Sequence, residues 1–172
     1  MITYYTKEGK FLAPEGTHPS NKQLHREKGP AVIYKGKSSI SEWWQNGKKH
    51  RLDGPALVCR VTNYQEWWRK GQLHREDGPA IIFANGDTEW WYNGLKHRKG
   101  GPAIVYSAHV KEWWENGLLH RLTGPAVDFV NGDKKYWIKG VDVTAYVKKW
   151  VADTNIDLST STGKILFKLK FG

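Results

Sequence analysis

One pattern occurs five times along the chain and restricts its fold more than any other feature. A His-Arg pair begins each copy, a Gly-Pro-Ala triplet follows, and two adjacent aromatic residues close it. The histidines are His25, His50, His74, His97 and His120, so successive copies are offset by 25, 24, 23 and 23 residues. A fixed period of this length is typical of repeat arrays, in which each unit buries its apolar surface only against its neighbours.

The residues around each Gly-Pro predict β-hairpins. Ala80-Ile81-Ile82-Phe83 and its equivalents are β-branched and aromatic, which favours strands. Asn85-Gly86-Asp87 and Asn131-Gly132-Asp133 supply the residues that a tight turn needs, and the Glu-Trp-Trp stretches predict the partner strands. The sequence therefore predicts a mainly β protein: a single-layer antiparallel meander of five hairpins, elongated and twisted, with a C-terminal capping α-helix.

Side-chain alternation predicts two unequal faces. Val32 and Tyr34, like their equivalents in the other copies, form an apolar column for the core, and the opposite column has an Ala in each unit. Adjacent Trp residues point to opposite faces, so one of each pair is expected in the core and the other in an outer aromatic stripe, with the choice left open. The stripe candidates are Trp43, Trp44, Trp67, Trp68, Trp90, Trp91, Trp113, Trp114 and Trp137.

The pattern divides the chain into an N-terminal cap (1–24), five repeats (25–140) and a C-terminal helical cap (141–172). Ile2 to Tyr5 resembles a degenerate copy of the aromatic strand, and a loop is expected over Pro14 to Ser20. After Gly140, apolar residues at helical spacing predict an amphipathic helix that Asp142 caps; they are Val143, Tyr146, Val147, Trp150 and Val151. Residues 158–172 fit a strand or a helix, and we favour a helix for their first half.

The charge balance favours an anionic partner. The chain has 27 Lys and Arg against 17 Asp and Glu, a net charge of +10, and a pI near 9.6. The alternative is that the lysines keep a Trp-rich sheet soluble. One cysteine, Cys59, excludes an internal disulfide framework, and the lack of a signal-peptide pattern or long apolar run predicts a cytoplasmic protein.

The repeats resemble the MORN (membrane occupation and recognition nexus) family over residues 25–140. Trp114-Glu115-Asn116-Gly117-Leu118-Leu119-His120 is similar to the start of that motif, as are Trp44 to His50 and Trp91 to His97. Here Arg replaces the Gly after His, and Gly-Pro comes one residue later than the second Gly of the motif. This variant also resembles repeats in proteins of tailed phages and large viruses. The resemblance implies a twisted sheet that binds or scaffolds, with lipid or protein partners and no catalysis.

The His-Arg pairs allow two interpretations. Arg could hold phosphate groups beside a donating His; alternatively, His bonds the loop backbone and each Arg meets the strand acid of its unit, which we favour. Lys135 replaces that acid in the fifth unit, so Arg121 is the arginine most available to a ligand. Candidate ligand-binding residues are Arg26, Arg51, Arg75, Arg98, Arg121, Lys48, Lys49, Arg69, Lys70 and Lys96.

Catalytic, metal and cofactor sites are not expected. Histidines one repeat apart lie about 10 Å from each other, too far to share a zinc ion. Cys59 occupies an apolar position and predicts a packed core thiol rather than a nucleophile. No phosphate loop or nucleophile elbow occurs, so we expect no enzyme and no cofactor.

The sequence therefore predicts a non-catalytic module that presents a basic, Trp-rich surface to an anionic macromolecule or nucleotide. From the viral resemblance, we expect a phage accessory protein that blocks or sequesters a host defence component. Its partner would be a host protein or nucleoprotein complex, or a nucleic acid or nucleotide, without membrane insertion. The alternative is a scaffold that binds proteins through a sheet edge or the C-terminal helix; exposed edges also allow a homo-oligomer.

Overall fold

The computed structural model describes residues 2–13, 23–36 and 39–172. The chain forms two compact units, Met1–Gly94 and Leu95–Gly172. The loop expected over Pro14 to Ser20 lies outside the described residues. No helix in the described part of the chain is long and apolar enough to cross a membrane.

The first unit consists of β-strands. In chain order they are β1 (Ile2–Thr6), β2 (Gly9–Ala13), β3 (Val32–Tyr34), β4 (Ile40–Glu42), β5 (Trp44–Gln45), β6 (Lys48–Lys49), β7 (Leu57–Cys59), β8 (Tyr64–Glu66), β9 (Trp68–Arg69), β10 (Gln72–Leu73), β11 (Ile81–Ile82), β12 (Thr88–Glu89) and β13 (Trp91–Tyr92). Eight of them form an antiparallel sheet in the order β2-β1-β3-β4-β7-β8-β11-β12.

The second unit continues the pattern and ends in helices. Its elements are β14 (Leu95–Lys96), β15 (Ile104–Val105), β16 (Lys111–Glu112), β17 (Trp114–Glu115), β18 (Leu118–Leu119), β19 (Val127–Asp128), β20 (Lys134–Lys135), β21 (Trp137–Ile138), β22 (Val141–Asp142), α1 (Thr144–Thr154) and α2 (Ser161–Phe171). Strands β15-β16-β19-β20 complete a sheet of 12 strands in hairpin-meander order. The predicted antiparallel meander of repeated hairpins is confirmed.

Each repeat also contains a second, shorter hairpin that the sequence analysis did not separate from the first. Strands β5 and β6 pair through Trp44↔Lys49, and β17 and β18 pair through Trp114↔Leu119. The turns between these strands place Asn46, or its equivalent, at a positive φ of about 50° and the next Gly at 72–82°. Positive φ at both central residues defines a type I′ turn, the turn that two-residue hairpins prefer.

The Ala column is the most deeply buried feature of the repeats. Ala31, Ala56, Ala80, Ala103 and Ala126 are all 0% exposed. In the third repeat, the Ala80 N–H donates to the Glu89 carbonyl and the Ala80 carbonyl accepts from the Trp67 N–H, both over 2.8 Å. A methyl group therefore suits this position, where backbone segments meet on both sides. Of the predicted core column, Val32, Cys59, Ile81, Ile104 and Val127 are buried.

The aromatic pairs do not form an exposed stripe. All nine Trp residues proposed for it are half-buried, so neither member of a pair is fully buried or fully exposed. The long strands β4, β8, β12 and β16 end before the first Trp, and a separate short strand begins at the second.

The N-terminal segment copies the repeat geometry, as predicted. The Tyr5 N–H donates to the Ala31 carbonyl over 2.8 Å, as the first Trp of a pair does in later repeats, and its carbonyl accepts from the His25 N–H over 3.0 Å. Strand β1 pairs with β2 and β3. Ile2, Tyr4, Leu24 and Val32 form the local core.

Two helices, rather than one, cover the last repeat. The predicted helix is confirmed as α1, but the prediction that Asp142 caps it is wrong, because Val143 is the N-cap residue and has no side-chain cap hydrogen bond. Asp142 lies one position before it and accepts from the Thr144 N–H over 2.8 Å. Tyr146 is 72% exposed, so it does not belong to the predicted apolar face. Helix α2 extends over both halves of the ambiguous segment, because Thr160 caps it and Phe167 packs against Tyr136 and Val147.

Candidate anion-binding site

The five repeat histidines hold the type I′ turns in place. The imidazole Nδ1 of each accepts a hydrogen bond from the backbone N–H of a residue in the following turn. The donor and acceptor pairs are Asn46 and His25 (3.1 Å), Lys70 and His50 (3.0 Å), Asn93 and His74 (3.1 Å), Asn116 and His97 (3.2 Å), and Lys139 and His120 (3.1 Å). This backbone role matches the structural interpretation of the histidines, with the bonded backbone lying in the next turn rather than in the histidine's own loop.

The repeat arginines lie over the aromatic ring that begins each pair. The guanidinium carbon is 3.7 Å from the ring centre of Tyr5 for Arg26, 4.1 Å from Trp43 for Arg51, 4.0 Å from Trp67 for Arg75 and 3.8 Å from Trp113 for Arg121. In all five repeats Nη1 also donates to the carbonyl of the proline four residues later, over 3.0–3.2 Å. Stacking plus this hydrogen bond fixes the plane and the direction of the guanidinium.

The strand acids bind tryptophan rather than arginine. The indole N–H of the second Trp donates to the Glu two residues before it: Trp44 to Glu42 (2.7 Å), Trp68 to Glu66 (2.6 Å), Trp91 to Glu89 (2.7 Å) and Trp114 to Glu112 (2.8 Å). The expectation that these acids meet the arginines is therefore wrong. Residues two apart in extended chain share a face, which brings the last residue of one strand, the Glu, beside the indole that begins the next strand.

The arginines differ in the residue that lies two positions further on. Nε of Arg51 donates to Asp53 over 2.8 Å, and Nε of Arg75 donates to Asp77 over 2.9 Å. These hydrogen bonds hold the pKa values of Asp53 and Asp77 below their ordinary value. The equivalent positions after Arg26, Arg98 and Arg121 carry Lys28, Gly100 and Thr123. This difference was not predicted, although it is visible when the sequences of the repeats are compared.

A groove in the second unit is lined by Arg98 and Arg121, two of the arginines that have no aspartate two residues further on. It has a volume of about 360 Å³ and lies between loop residues 97–101 and 120–123, beside Trp113, Trp114 and Glu115. Its charged lining comprises Arg98, Lys99 and Arg121 against one carboxylate, Glu115. With neutral histidines, its formal charge is +2. Burial lowers the pKa of Arg121, and the carboxylate of Asp128 opposes that effect; burial also lowers the pKa of Arg98.

The corresponding groove of the first unit is electrically balanced. It lies between loop residues 51–55 and 74–77 and has a volume of about 710 Å³. Three arginines line it together with three carboxylates, and they are Arg51, Arg69, Arg75, Asp53, Glu76 and Asp77. Arg69 pairs with Glu76 over 3.6 Å, in addition to the two Arg-Asp contacts. These two grooves therefore differ in formal charge, the first being neutral and the second cationic.

The remaining basic candidates are dispersed. Lys49 pairs with Glu66 over 3.3 Å and lies 5.2 Å from the Trp68 ring centre, and Lys96 lies 5.1 Å from that of Trp114. Lys48 and Lys70 are exposed. From the candidate set, the structure therefore brings together Arg51, Arg69 and Arg75 in the neutral groove. It brings together Arg98 and Arg121 in the cationic groove, to which it adds Lys99.

Metal-ligating and nucleophilic groups do not converge in the described residues. No three His, Cys, Asp or Glu side chains of residues 2–13, 23–36 and 39–172 lie close enough to share a metal ion. Cys59 is buried at the end of β7, as its apolar position predicts, and hydrogen bonding with Thr62 lowers the pKa of its thiol.

Comparison with known proteins does not indicate a function. The chain matches no protein-family model and no curated protein sequence. The groove and its charges are therefore the observations on which a functional assignment rests.

Proposed function

We propose that the protein is a non-catalytic binding module that takes a phosphate-bearing ligand in the cationic groove of its second unit. Arg121 is its central residue, with Arg98 and Lys99 on the opposite loop. The repeated hairpins serve as a rigid support that sets the positions of these loops. The proposal agrees with a net charge of +10 and with the binding role that the MORN resemblance implies.

The contact between Arg75 and Asp77 is the observation that carries this proposal. Both Arg75 and Arg121 stack on a Trp and donate Nη1 to a proline carbonyl, so their remaining N–H edges are held in equivalent directions. At Arg75 that edge binds a carboxylate of the chain itself. At Arg121 the same position carries Thr123, whose hydroxyl adds a donor without a charge. An external anion would bind Arg121 in the position that the Asp77 carboxylate takes at Arg75.

The cationic groove also meets the physical needs of phosphate recognition. Arginine presents a planar fork of N–H donors that matches phosphate oxygens, and charge-assisted hydrogen bonds of this kind are short and strong. Half-burial of Arg121 against Trp113 reduces the water that competes for those donors. An incoming phosphate would compensate the cost of burying the guanidinium, which the lowered pKa of Arg121 expresses.

The decisive experiment converts the cationic groove into the neutral one. We expect Thr123→Asp to place a carboxylate on Arg121 and to weaken ATP and inorganic phosphate binding at least tenfold by calorimetry at low ionic strength. The melting temperature should stay the same or rise, since the new contact copies that of Arg75 and Asp77. Thr162→Asp, on an exposed position of α2, adds the same charge away from the groove and should bind as the wild type does. Wild-type affinity in Thr123→Asp would contradict the proposal.

Arg121→Ala is a less specific test than the sequence suggested. Arg121 stacks on Trp113 and donates to the Pro125 carbonyl, so its removal should lower stability whether or not it binds a ligand. Thr123→Asp separates the two effects because it leaves those contacts in place.

A second candidate function rests on the outer face of α2. Ile165 and Leu169 lie four residues apart and are 60% and 78% exposed, while Phe167 faces the core. Lys164, Lys168 and Lys170 flank them, and α2 contains no acidic residue. This face favours an acidic protein partner with an apolar recess, as the scaffold alternative requires. A host-defence partner, expected from the viral resemblance, stays a prediction.

A further inference from the structure

The charge distribution of the two grooves bears on the size of the ligand, provided that the proposed function holds. We infer that the ligand is a small phosphate-bearing molecule of nucleotide size and not a polynucleotide. The inference rests on three observations. Aspartates of the chain bind two of the repeat arginines, the cationic groove has the volume of a small-molecule site, and cations lie over its tryptophan rings.

Built-in carboxylates interrupt the row of repeat arginines. A protein that follows a nucleic-acid backbone needs a continuous cationic groove, because successive phosphates must each find a positive partner. In the neutral groove of the first unit, Asp53 and Asp77 bind Arg51 and Arg75, and Glu76 pairs with Arg69. These carboxylates would repel a phosphate backbone, so this groove offers it no track.

The tryptophans of the cationic groove are not stacking platforms for a series of bases. One face of Trp113 is covered by the Arg121 guanidinium at 3.8 Å, and Lys96 lies 5.1 Å from the Trp114 ring centre. Binding of single strands depends on successive bases stacking on open aromatic faces. Cations over both rings leave the groove suited to phosphate contacts rather than to a run of bases.

The dimensions of the groove agree with a small ligand. Its volume of about 360 Å³ falls within the usual range for small-molecule sites, roughly 300–1,000 Å³. Three cations, Arg98, Lys99 and Arg121, are offset by one carboxylate, Glu115, and the resulting charge of +2 matches one phosphate group or a pair of adjacent ones.

Salt dependence distinguishes a small ligand from a polynucleotide. The probes are ATP, inorganic phosphate and a labelled thymidine oligonucleotide of about 12 nucleotides, a length within the site sizes of single-strand-binding folds. We expect ATP to bind within tenfold of the oligonucleotide or more tightly. The oligonucleotide should show a slope of log K against log salt near −1.4, which corresponds to about two phosphate contacts.

A steeper slope, of about −4 or beyond, with oligonucleotide affinity more than tenfold above that of ATP, would overturn the small-ligand inference and leave the proposed function intact. No binding of any probe at low ionic strength would instead overturn the proposed function.

A gain-of-function variant tests the charge argument independently. Asp53→Thr combined with Asp77→Thr gives the first-unit groove the same formal charge as the cationic groove. We expect calorimetry to report two ATP molecules per chain for this variant and one for the wild type. Asp133→Thr combined with Asp153→Thr makes the same charge change on exposed positions outside both grooves; this matched control should bind one. If the folded variant with Asp53→Thr and Asp77→Thr still bound one ATP per chain, the inference would be wrong.

Discussion

The backbone N–H of Asn116 donates to Nδ1 of His97 over 3.2 Å and so ties the turn near the end of a copy to the histidine that begins it. The same contact occurs in every repeat, and it requires an imidazole that is unprotonated at Nδ1. The coupling of histidine to turn therefore depends on a neutral imidazole.

His50 provides the clearest test of that coupling. Burial lowers the pKa of His50, and the positive charges of Arg69 and Lys70 lower it further. The unfolded chain, with an ordinary histidine pKa of about 6.5, binds the proton more readily than the folded chain. The contribution of His50 to stability is thus present above about pH 6.5 and is lost as the pH falls toward its folded-state pKa.

The measurement compares His50→Asn with the wild type by urea unfolding between about pH 7.5 and pH 5. The Asn side-chain oxygen is an acceptor that does not titrate. We expect the wild type to lose its advantage in unfolding free energy as the pH falls. His109→Asn is the control, because His109 is exposed in a turn at a φ of 64° that Asn tolerates. A difference between His50→Asn and the wild type that is independent of pH would contradict this account.

The sequence was sufficient for the strands because the repeat displays its turn residues openly. Asn-Gly and Gly-Pro mark where each hairpin begins and ends, and alternation identifies Val32 and Ile81 as core residues. The half-burial of both Trp residues in each pair could not be derived in this way. Strand β8 ends at Glu66 and β9 begins at Trp68, and alternation alone does not predict that interruption.

The site was predicted in part. Arg121 was singled out because Lys135 stands where the other repeats have an acid. In those repeats the acid accepts from a Trp indole, so its absence affects the indole of Trp137 and not Arg121. The difference that does concern Arg121 is Thr123 in place of Asp77. A sequence places Arg75 and Asp77 two residues apart, yet it does not show that the guanidinium turns toward that carboxylate.

Lys70 occupies a backbone conformation that favours another residue. Its φ is 52°, whereas Asn46 and Asn93 occupy the same turn position at 49° in neighbouring repeats. Side chains with a Cβ pay about 1–2 kcal/mol in this region, and Asn is among the residues that tolerate it. We expect Lys70→Asn to raise the unfolding free energy by about 0.5–1 kcal/mol, measured by urea unfolding.

The control for Lys70→Asn is Lys48→Asn, which removes the same charge from an exposed strand position without a positive φ. The control should show no gain, since Asn is a poor strand former. Equal stabilisation by both substitutions would assign the effect to charge and not to backbone conformation.

Trp137 is the one described residue with a buried side-chain N or O atom that finds no hydrogen-bond partner. Its indole N–H lies where Glu42, Glu66, Glu89 and Glu112 accept from the equivalent indoles over 2.6–2.8 Å, but the residue two positions earlier is Lys135. A buried donor without a partner costs about 1–3 kcal/mol. Lys135→Glu should therefore raise the unfolding free energy by about 1–2 kcal/mol, or the melting temperature by about 2–6 °C.

Lys134→Glu makes the same charge change at the adjacent exposed position, opposite Asp128 in the pairing of β19 with β20. Like charges directly opposite each other on a sheet are destabilising, so this control should lower the melting temperature or leave it unchanged. The opposite response of two neighbouring lysines would show that the gain at residue 135 comes from the indole N–H of Trp137. If both variants shifted the melting temperature equally, net charge would explain the result and the hydrogen-bond argument would be wrong.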